Sequence, residues 1–375
     1  MKTIFVLITI LLGLTGVRAD GPATNLPPVR VAIYGLVHGH AGGFLPRVLS
    51  NPDIQLVGII EPDKTVVASY AKQFKLGPEL FFPSLEALLA KTNVQAIATF
   101  TSTFDHKRVV EACAPHGLTV MMEKPLAVNM EHARAIAAAV KKYGIQLIVN
   151  YETTWYPANH AAYDLVCNEK GIGDIRKVVV HDGHQGPKEI GCQTEFLAWL
   201  TDPVLNGGGA LPDFGCYGAD LMTWFMQGQR PTSVVAVTQH IKPEVYPKVE
   251  DEATIVLTYP KAQGIIQASW NWPYNRKDME IYCKNGYALV PHGDSLRVLK
   301  GARMANETTT TIPPLTGAEA DSVPYLVAVV RGEIKPSGLS SLAVNMVVTE
   351  ILDAARESAA TGKRIDLPAT PAWAE

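Results

Sequence analysis

The chain has 375 residues, 47% of them hydrophobic and 18% charged, and a formal charge of −3. It is long enough for two globular domains with sizeable cores, and it contains no repeat or low-complexity block. A slightly acidic balance without a basic stripe argues against nucleic acid or an anionic membrane as partner.

At the amino terminus Lys2 precedes an apolar run from Ile4 to Val17, and Val17-Arg18-Ala19 offers a small-residue cleavage point before Asp20. The run is short for a membrane span and has the three regions of a secretory signal. Residues 1–19 are therefore expected to be a leader, leaving a periplasmic or secreted protein with no membrane attachment; an uncleaved anchor is the alternative. Removing Lys2 and Arg18 would take the charge from −3 to −5. No cysteine near the junction points to a lipid anchor and no arginine pair to twin-arginine export, so the leader reads as Sec-type.

Residues 29–150 alternate strand and helix. The strands are Val31 to Tyr34, Gln55 to Ile60, Ala96 to Phe100, Thr119 to Met122 and Gln146 to Asn150, and the intervening helices show as apolar spacing such as Ala133, Ile136, Ala137 and Val140. The alternation predicts an α/β unit with a doubly wound parallel sheet. Its first strand runs into a glycine-rich loop, Gly35-Leu36-Val37-His38-Gly39-His40-Ala41-Gly42-Gly43, of the kind that lets backbone N–H groups approach a pyrophosphate at a helix start. The spacing is irregular, because Val37 stands where the first glycine would fall if Gly39 and Gly42 were the other two. Glu61, at the tip of the second strand, is placed to accept hydrogen bonds from an adenosine ribose and to repel a 2′-phosphate. That favours NAD over NADP, with Lys64 weighing the other way. The fourth strand, Thr119 to Met122, stops at Glu123-Lys124-Pro125, which fixes Lys124 at a strand's carboxyl end, the edge where open sheets bind ligands.

After Tyr151 the pattern changes to a helix and then successive strands: Ile175 to Gly183, Ser233 to His240, Glu252 to Tyr259, Gly264 to Trp272, Met279 to Cys283 and Ala288 to Val290. Strands without intervening helices predict an α+β second domain, residues 151–338, with an open, mainly antiparallel sheet. A last helix, about Leu339 to Ala360, stops at Gly362 and leads to Ile365-Asp366-Leu367. The five cysteines are scattered and form no metal-like or redox pair; most read as small buried hydrophobes, with a bridge from Cys167 or Cys192 still possible.

The two motifs, Glu123-Lys124-Pro125 and Gly207-Gly208-Gly209-Ala210-Leu211-Pro212-Asp213-Phe214-Gly215-Cys216-Tyr217-Gly218-Ala219-Asp220, stand about ninety residues apart. Together they resemble the glucose-fructose oxidoreductase, inositol dehydrogenase and rhizopine-catabolism (Gfo/Idh/MocA) family, from about Val29 to Leu367. The family pattern Asp-x-Gly-x-His-x-x-Asp is matched at Asp213, Gly215 and Asp220, while Tyr217 occupies the histidine position, as in the glucose-fructose oxidoreductase branch. The resemblance implies NAD, with Gly35, Val37, His38, Gly39, Glu61, Thr101, His106, Glu123 and Pro125 around it; His106 reads equally well as a helix cap. A tightly held cofactor is expected on separate grounds, because an exported nicotinamide enzyme has little free cofactor to exchange with. The resemblance also implies that residues 339–367 pack back on the first domain and that the open sheet builds homodimers or homotetramers.

Within that frame Lys124 and Tyr217 suit proton transfer at a sugar carbinol, since an adjacent ammonium lowers a phenol's pKa from near 10. Asp213 would orient Lys124 or accept a substrate hydroxyl. Tyr151 and Trp155 offer aromatic faces to a pyranose, and His181 and His184 read first as sugar hydrogen-bonders, second as structural and third as metal ligands; no metal is expected. Thr154, where family members often carry arginine, disfavours an acidic substrate. The expected function is an exported oxidoreductase moving a hydride between a sugar or glycoside hydroxyl and the cofactor. Its rivals are a redox-assisted glycosidase and a non-catalytic sugar-binding homologue.

Overall fold

A computed structural model describes residues 26–371 and 373, so the expected leader lies outside the described residues. Six strands form a wholly parallel sheet: β1 (Val29–Tyr34), β2 (Ile54–Ile60), β3 (Phe81–Phe82), β4 (Ala96–Thr99), β5 (Thr119–Glu123) and β6 (Leu147–Asn150). Their order is β3-β2-β1-β4-β5-β6. Strands β4 and β5 are buried at every position, as a sheet covered on both faces requires. The covering helices are α1 (Ala41–Ser50), α2 (Lys64–Phe74), α3 (Leu85–Leu89), α4 (His106–Cys113) and α5 (Met130–Tyr143). Local chemistry sets their ends: Asp63 accepts the Thr65 and Val66 N–H groups to start α2, Asn129 accepts the His132 N–H to start α5, and left-handed Gly144 stops α5.

Helix α6 (Pro157–Tyr163) leads to the second sheet, formed by β7 (Ile175–Gly183), β8 (Ser233–Gln239), β9 (Glu252–Thr258), β10 (Gln263–Ser269), β11 (Arg276–Cys283), β12 (Gly286–His292), β13 (Ser295–Lys300), β14 (Glu307–Thr311) and β15 (Ile365–Asp366). The order is β14-β13-β12-β11-β7-β10-β9-β8-β15, and every pair except β7 with β10 is antiparallel. Strands β13 and β14 extend the sheet beyond the sequence expectation. Edge strand β14, Glu-Thr-Thr-Thr-Thr, carries no apolar alternation to reveal it.

Helices α7 (Thr194–Leu200), α8 (Ala210–Phe225), α9 (Ser322–Val330) and α10 (Leu342–Thr361) complete the described fold. Helix α8 is buried almost all round, because it lies between the second sheet and α10: a methyl group on Gly215 would meet Ile255 Cδ1 at 3.2 Å and Leu352 Cδ2 at 3.6 Å. Helix α10 also touches the first domain, through Asp353 Oδ2 accepting the Met130 N–H at 2.7 Å and Arg356 bonding the Val128 carbonyl. The short strand after it does not pack on the first domain as the resemblance implied: β15 pairs with β8 and extends the second sheet. Among the described residues no helix is long and apolar enough to cross a membrane.

Gly209 fixes where α8 begins. A Cβ at this position would lie 1.9 Å from the Glu250 carbonyl oxygen, which itself accepts the Ala210 N–H at 3.0 Å. Neither backbone can retreat without losing that bond. Gly209→Ala is therefore expected to destabilise the protein by about 3 kcal/mol, the upper end for overpacking, measured by urea denaturation.

Candidate active site

The carboxyl ends of the parallel strands share one edge, and the chain's direction of winding reverses there between β1 and β4. Such a switch point opens a crevice that holds ligands. Gly35 leaves β1 at φ +80, where a Cβ would lie 2.6 Å from Thr101 Cγ2. The loop is braced by Gly35 N–H to Ile60 O at 2.8 Å, His38 N–H to Phe100 O at 3.0 Å and Leu36 N–H to Glu61 Oε2 at 2.9 Å. Among the described residues, the Val37 and Gly39 N–H groups donate to nothing. Two unspent donors at the start of α1 are what a pyrophosphate requires, so this edge fits a dinucleotide.

Several expected cofactor contacts also bond within the protein. Glu61 is tied to its own turn: Oε2 takes the Leu36 N–H and Oε1 the Asp63 N–H, both at 2.9 Å, and each oxygen keeps a further lone pair. Burial moves its pKa upward. The Thr101 hydroxyl turns inward to Thr99 Oγ1 and the Ser102 carbonyl, both 3.2 Å away. His106 is not the cap of α4, whose N-cap is Asp105. Its Nδ1 lies 3.1 Å from Pro125 O and 3.3 Å from Leu126 O, bracing the turn after β5, and burial carries its pKa down to about 4. The Lys124–Pro125 peptide is cis. Phe196 and Trp199 of α7 lie over the glycine loop, with Trp199 Nε1–H donating to Val37 O at 3.2 Å.

Lys124 and Asp213 meet as expected. Lys124 Nζ donates to Asp213 Oδ1 at 2.6 Å and to the Asp213 carbonyl at 2.9 Å, while Trp270 Nε1–H donates to Asp213 Oδ2 at 2.9 Å. Burial alone would lower the ammonium's pKa, but Asp213, with Cys216 and Glu123 behind it, holds it above the usual lysine range. Burial likewise opposes ionisation of Asp213, and the Lys124 charge overcomes it, keeping the carboxyl below its ordinary value. Asp213 thus orients Lys124, and the third N–H of the ammonium has no partner among the described residues.

Tyr217 is 2% exposed and lines the cavity, with its ring 5.0 Å from Lys124 Nζ and 4.4 Å from Lys277 Nζ. Its hydroxyl makes no hydrogen bond within the described residues. The expected lowering of its pKa is not found. Burial, reinforced by Glu152, pushes the phenol well above its usual range, and the Lys124 charge is largely spent on Asp213. Tyr217 therefore rests as a neutral phenol.

These groups face a cavity of about 960 Å3 between the domains. Its charged wall is paired throughout: Lys124 with Asp213, Lys277 with Glu152, and Arg276 with Asp278. His184 is in the wall as expected; its Nδ1 accepts the Gly186 N–H at 2.9 Å, and burial lowers its pKa, which leaves a neutral ring with Nε2–H to donate.

Three expected substrate contacts lie elsewhere. Tyr151 is fully buried, donates to Asn345 Oδ1 at 2.9 Å and packs edge-on behind Tyr217, because the chain turns inward as β6 ends. Trp155 lines a smaller adjoining cavity of about 370 Å3 and donates to Asn150 Oδ1 at 3.0 Å. His181 is held 2.8 Å from Asp278 Oδ1, and that carboxylate, not the ring, reaches the cavity. Sequence reasoning missed Arg276, Lys277 and Asp278. The charged run at a strand start was visible, but nothing in it said that β11 would pair with β7 and bring the run to this wall. All five cysteines are free, and three are buried.

Fold and site together define a two-domain oxidoreductase with a dinucleotide-binding first domain. The profile of the oxidoreductase family with NAD-binding Rossmann fold matches residues 29–151, and that of the GFO/IDH/MocA C-terminal domain matches residues 161–289. The chain belongs to the Gfo/Idh/MocA family. It is similar to trans-1,2-dihydrobenzene-1,2-diol dehydrogenase of Xenopus laevis, 24% identical over 81% of this chain and 90% of that one. Among solved structures it is similar to aldose-aldose oxidoreductase from Caulobacter crescentus in complex with glycerol (TM-score 0.75, 21% identity, 91% of this chain and 100% of that one). It is also similar to an inositol dehydrogenase homolog from Azotobacter vinelandii in complex with NAD+ (TM-score 0.76, 18% identity, 90% and 97%).

Proposed function

We propose that this protein is an exported oxidoreductase that interconverts a hydroxyl and a carbonyl on a neutral sugar or glycoside, with NAD(H) as partner. The observation that carries this reading is the Lys124–Asp213 pair beside the unbonded Tyr217 hydroxyl, in one cavity next to the glycine loop. Bound nicotinamide would supply or accept the hydride. The Val37 and Gly39 N–H groups would hold its phosphates. A wall whose cations and anions pair off one to one leaves no excess charge to recruit an anionic substrate, which favours a polyhydroxy compound. The leader pattern supports export, and exposed Val235 and Val237 on the outer face of the second sheet support homo-oligomers.

Incubating the purified protein and NAD with hexoses, glycosides and inositols, and following products by NMR, tests the reading. A new carbonyl on one neutral member supports it. No turnover with any member, in either direction, removes it.

Protonation states give the reaction a direction-dependent pH profile. Both Lys124 and Tyr217 have pKa values raised above their ordinary ones, so both keep their protons until well above pH 10. Carbonyl reduction needs a proton donor and finds one ready; alcohol oxidation must first remove a proton. Between pH 6 and 9 the rate of reduction is expected to stay flat, while that of oxidation rises by about 10-fold per pH unit. Initial rates in both directions check this.

A further inference from the structure

We propose that His38, His40 and Glu123 form a binding site for one divalent cation of the zinc type at the rim of the main cavity. The three residues each offer a ligand atom, and these atoms all lie within 4.8 Å of one another. A point within about 2.8 Å of all three therefore exists, and a contraction of under about 1 Å brings each to zinc-ligand distance. Two imidazoles and one carboxylate are the donor set of an open zinc site, which keeps a fourth position for an exchangeable oxygen.

The ligands are already oriented. Glu123 Oε2 lies 2.9 Å from His40 Nδ1, while Asn150 Nδ2 holds Oε1 at 2.9 Å and leaves the first oxygen to face the rings. His38 is 2% exposed, wedged against Phe196 and Trp199 at ring distances of 4.8 and 5.4 Å, and 4.6 Å from the His40 ring. Its Nδ1 accepts the His40 N–H at 3.1 Å, one neutral hydrogen bond that a metal–imidazole bond outcompetes. The His40 side chain is 49% exposed, which gives the ion a way in. Both histidines line the main cavity beside Lys124, so an ion held there would border the space assigned to substrate.

Another group of three, His181, Asp278 and Glu280, satisfies the same distance criterion but is already served by a cation, since the Arg276 guanidinium sits on Asp278. It provides the control. A Zn2+ ion at the first site would polarise a sugar oxygen that displaces its bound water.

The test uses tag-free protein dialysed against a chelator, without NAD, so that failure of the cofactor reading does not affect it. Calorimetric titration with Zn2+ is expected to give one equivalent, and Co2+ to give visible absorption bands of a four- or five-coordinate site. His40→Ala, at a half-exposed position that spares the fold, should weaken binding by tenfold or more, as should His38→Gln, with folding verified by circular dichroism; His181→Ala should leave binding unchanged. No binding at 100 µM Zn2+, a loss under tenfold in His40→Ala, or an equal loss in His181→Ala overturns the proposal.

Discussion

Replacing Lys124 with methionine is expected to cut kcat by about 10²–10⁴, the range of one positioned proton-transfer group. It should also destabilise the fold, because Asp213 would remain buried with a charge that, among the described residues, only Trp270 still hydrogen-bonds. Breaking a buried pair from one side costs about 3–5 kcal/mol. Stability and chemistry separate in a double-mutant cycle. Lys124→Met with Asp213→Asn removes both charges and keeps an acceptor for Trp270, so much of the lost stability should return while turnover does not. Urea denaturation and initial rates on the three variants measure both quantities. If the double variant regains activity along with stability, Lys124 acts only as a structural counter-ion.

Tyr217→Phe makes the opposite combination. Its hydroxyl makes no hydrogen bond among the described residues, so removing it should change stability by less than about 0.5 kcal/mol, as for a change that breaks no protein contact. Turnover should nonetheless fall by about 10²-fold, the lower range for a proton donor. A variant with unaltered kcat would reduce Tyr217 to an aromatic wall stacked against two lysines. The contrast is useful because the two residues are neighbours: one is expected to matter for folding and chemistry, the other for chemistry alone.

The local pattern was sufficient for most of the elements, though not for β3, β13 and β14. Alternating strand and helix in residues 29–150, the helix stop at Gly362, and the successive strands after Tyr151 all reflect interactions within a few residues, and those appear in any linear reading. Lys124 and Asp213 were legible too, because each sits in a motif whose neighbours fix its backbone. Pairing across the chain was not. Asp278 captures His181 from 97 residues away, Asn345 buries the Tyr151 hydroxyl from 194, and Lys277 reaches the Tyr217 ring only because β11 lies beside β7.

Protonation followed the same division. The amino-acid order placed a lysine and a tyrosine where they could share a proton, but burial and the prior claim of Asp213 on the ammonium set the phenol's pKa in the opposite direction from that expected. Desolvation depends on everything packed around a group, and the residues that do the packing come from distant parts of the chain. Residue type and short-range spacing thus determined the scaffold and the reactive groups, while the assembled interior assigned those groups their partners and charge states.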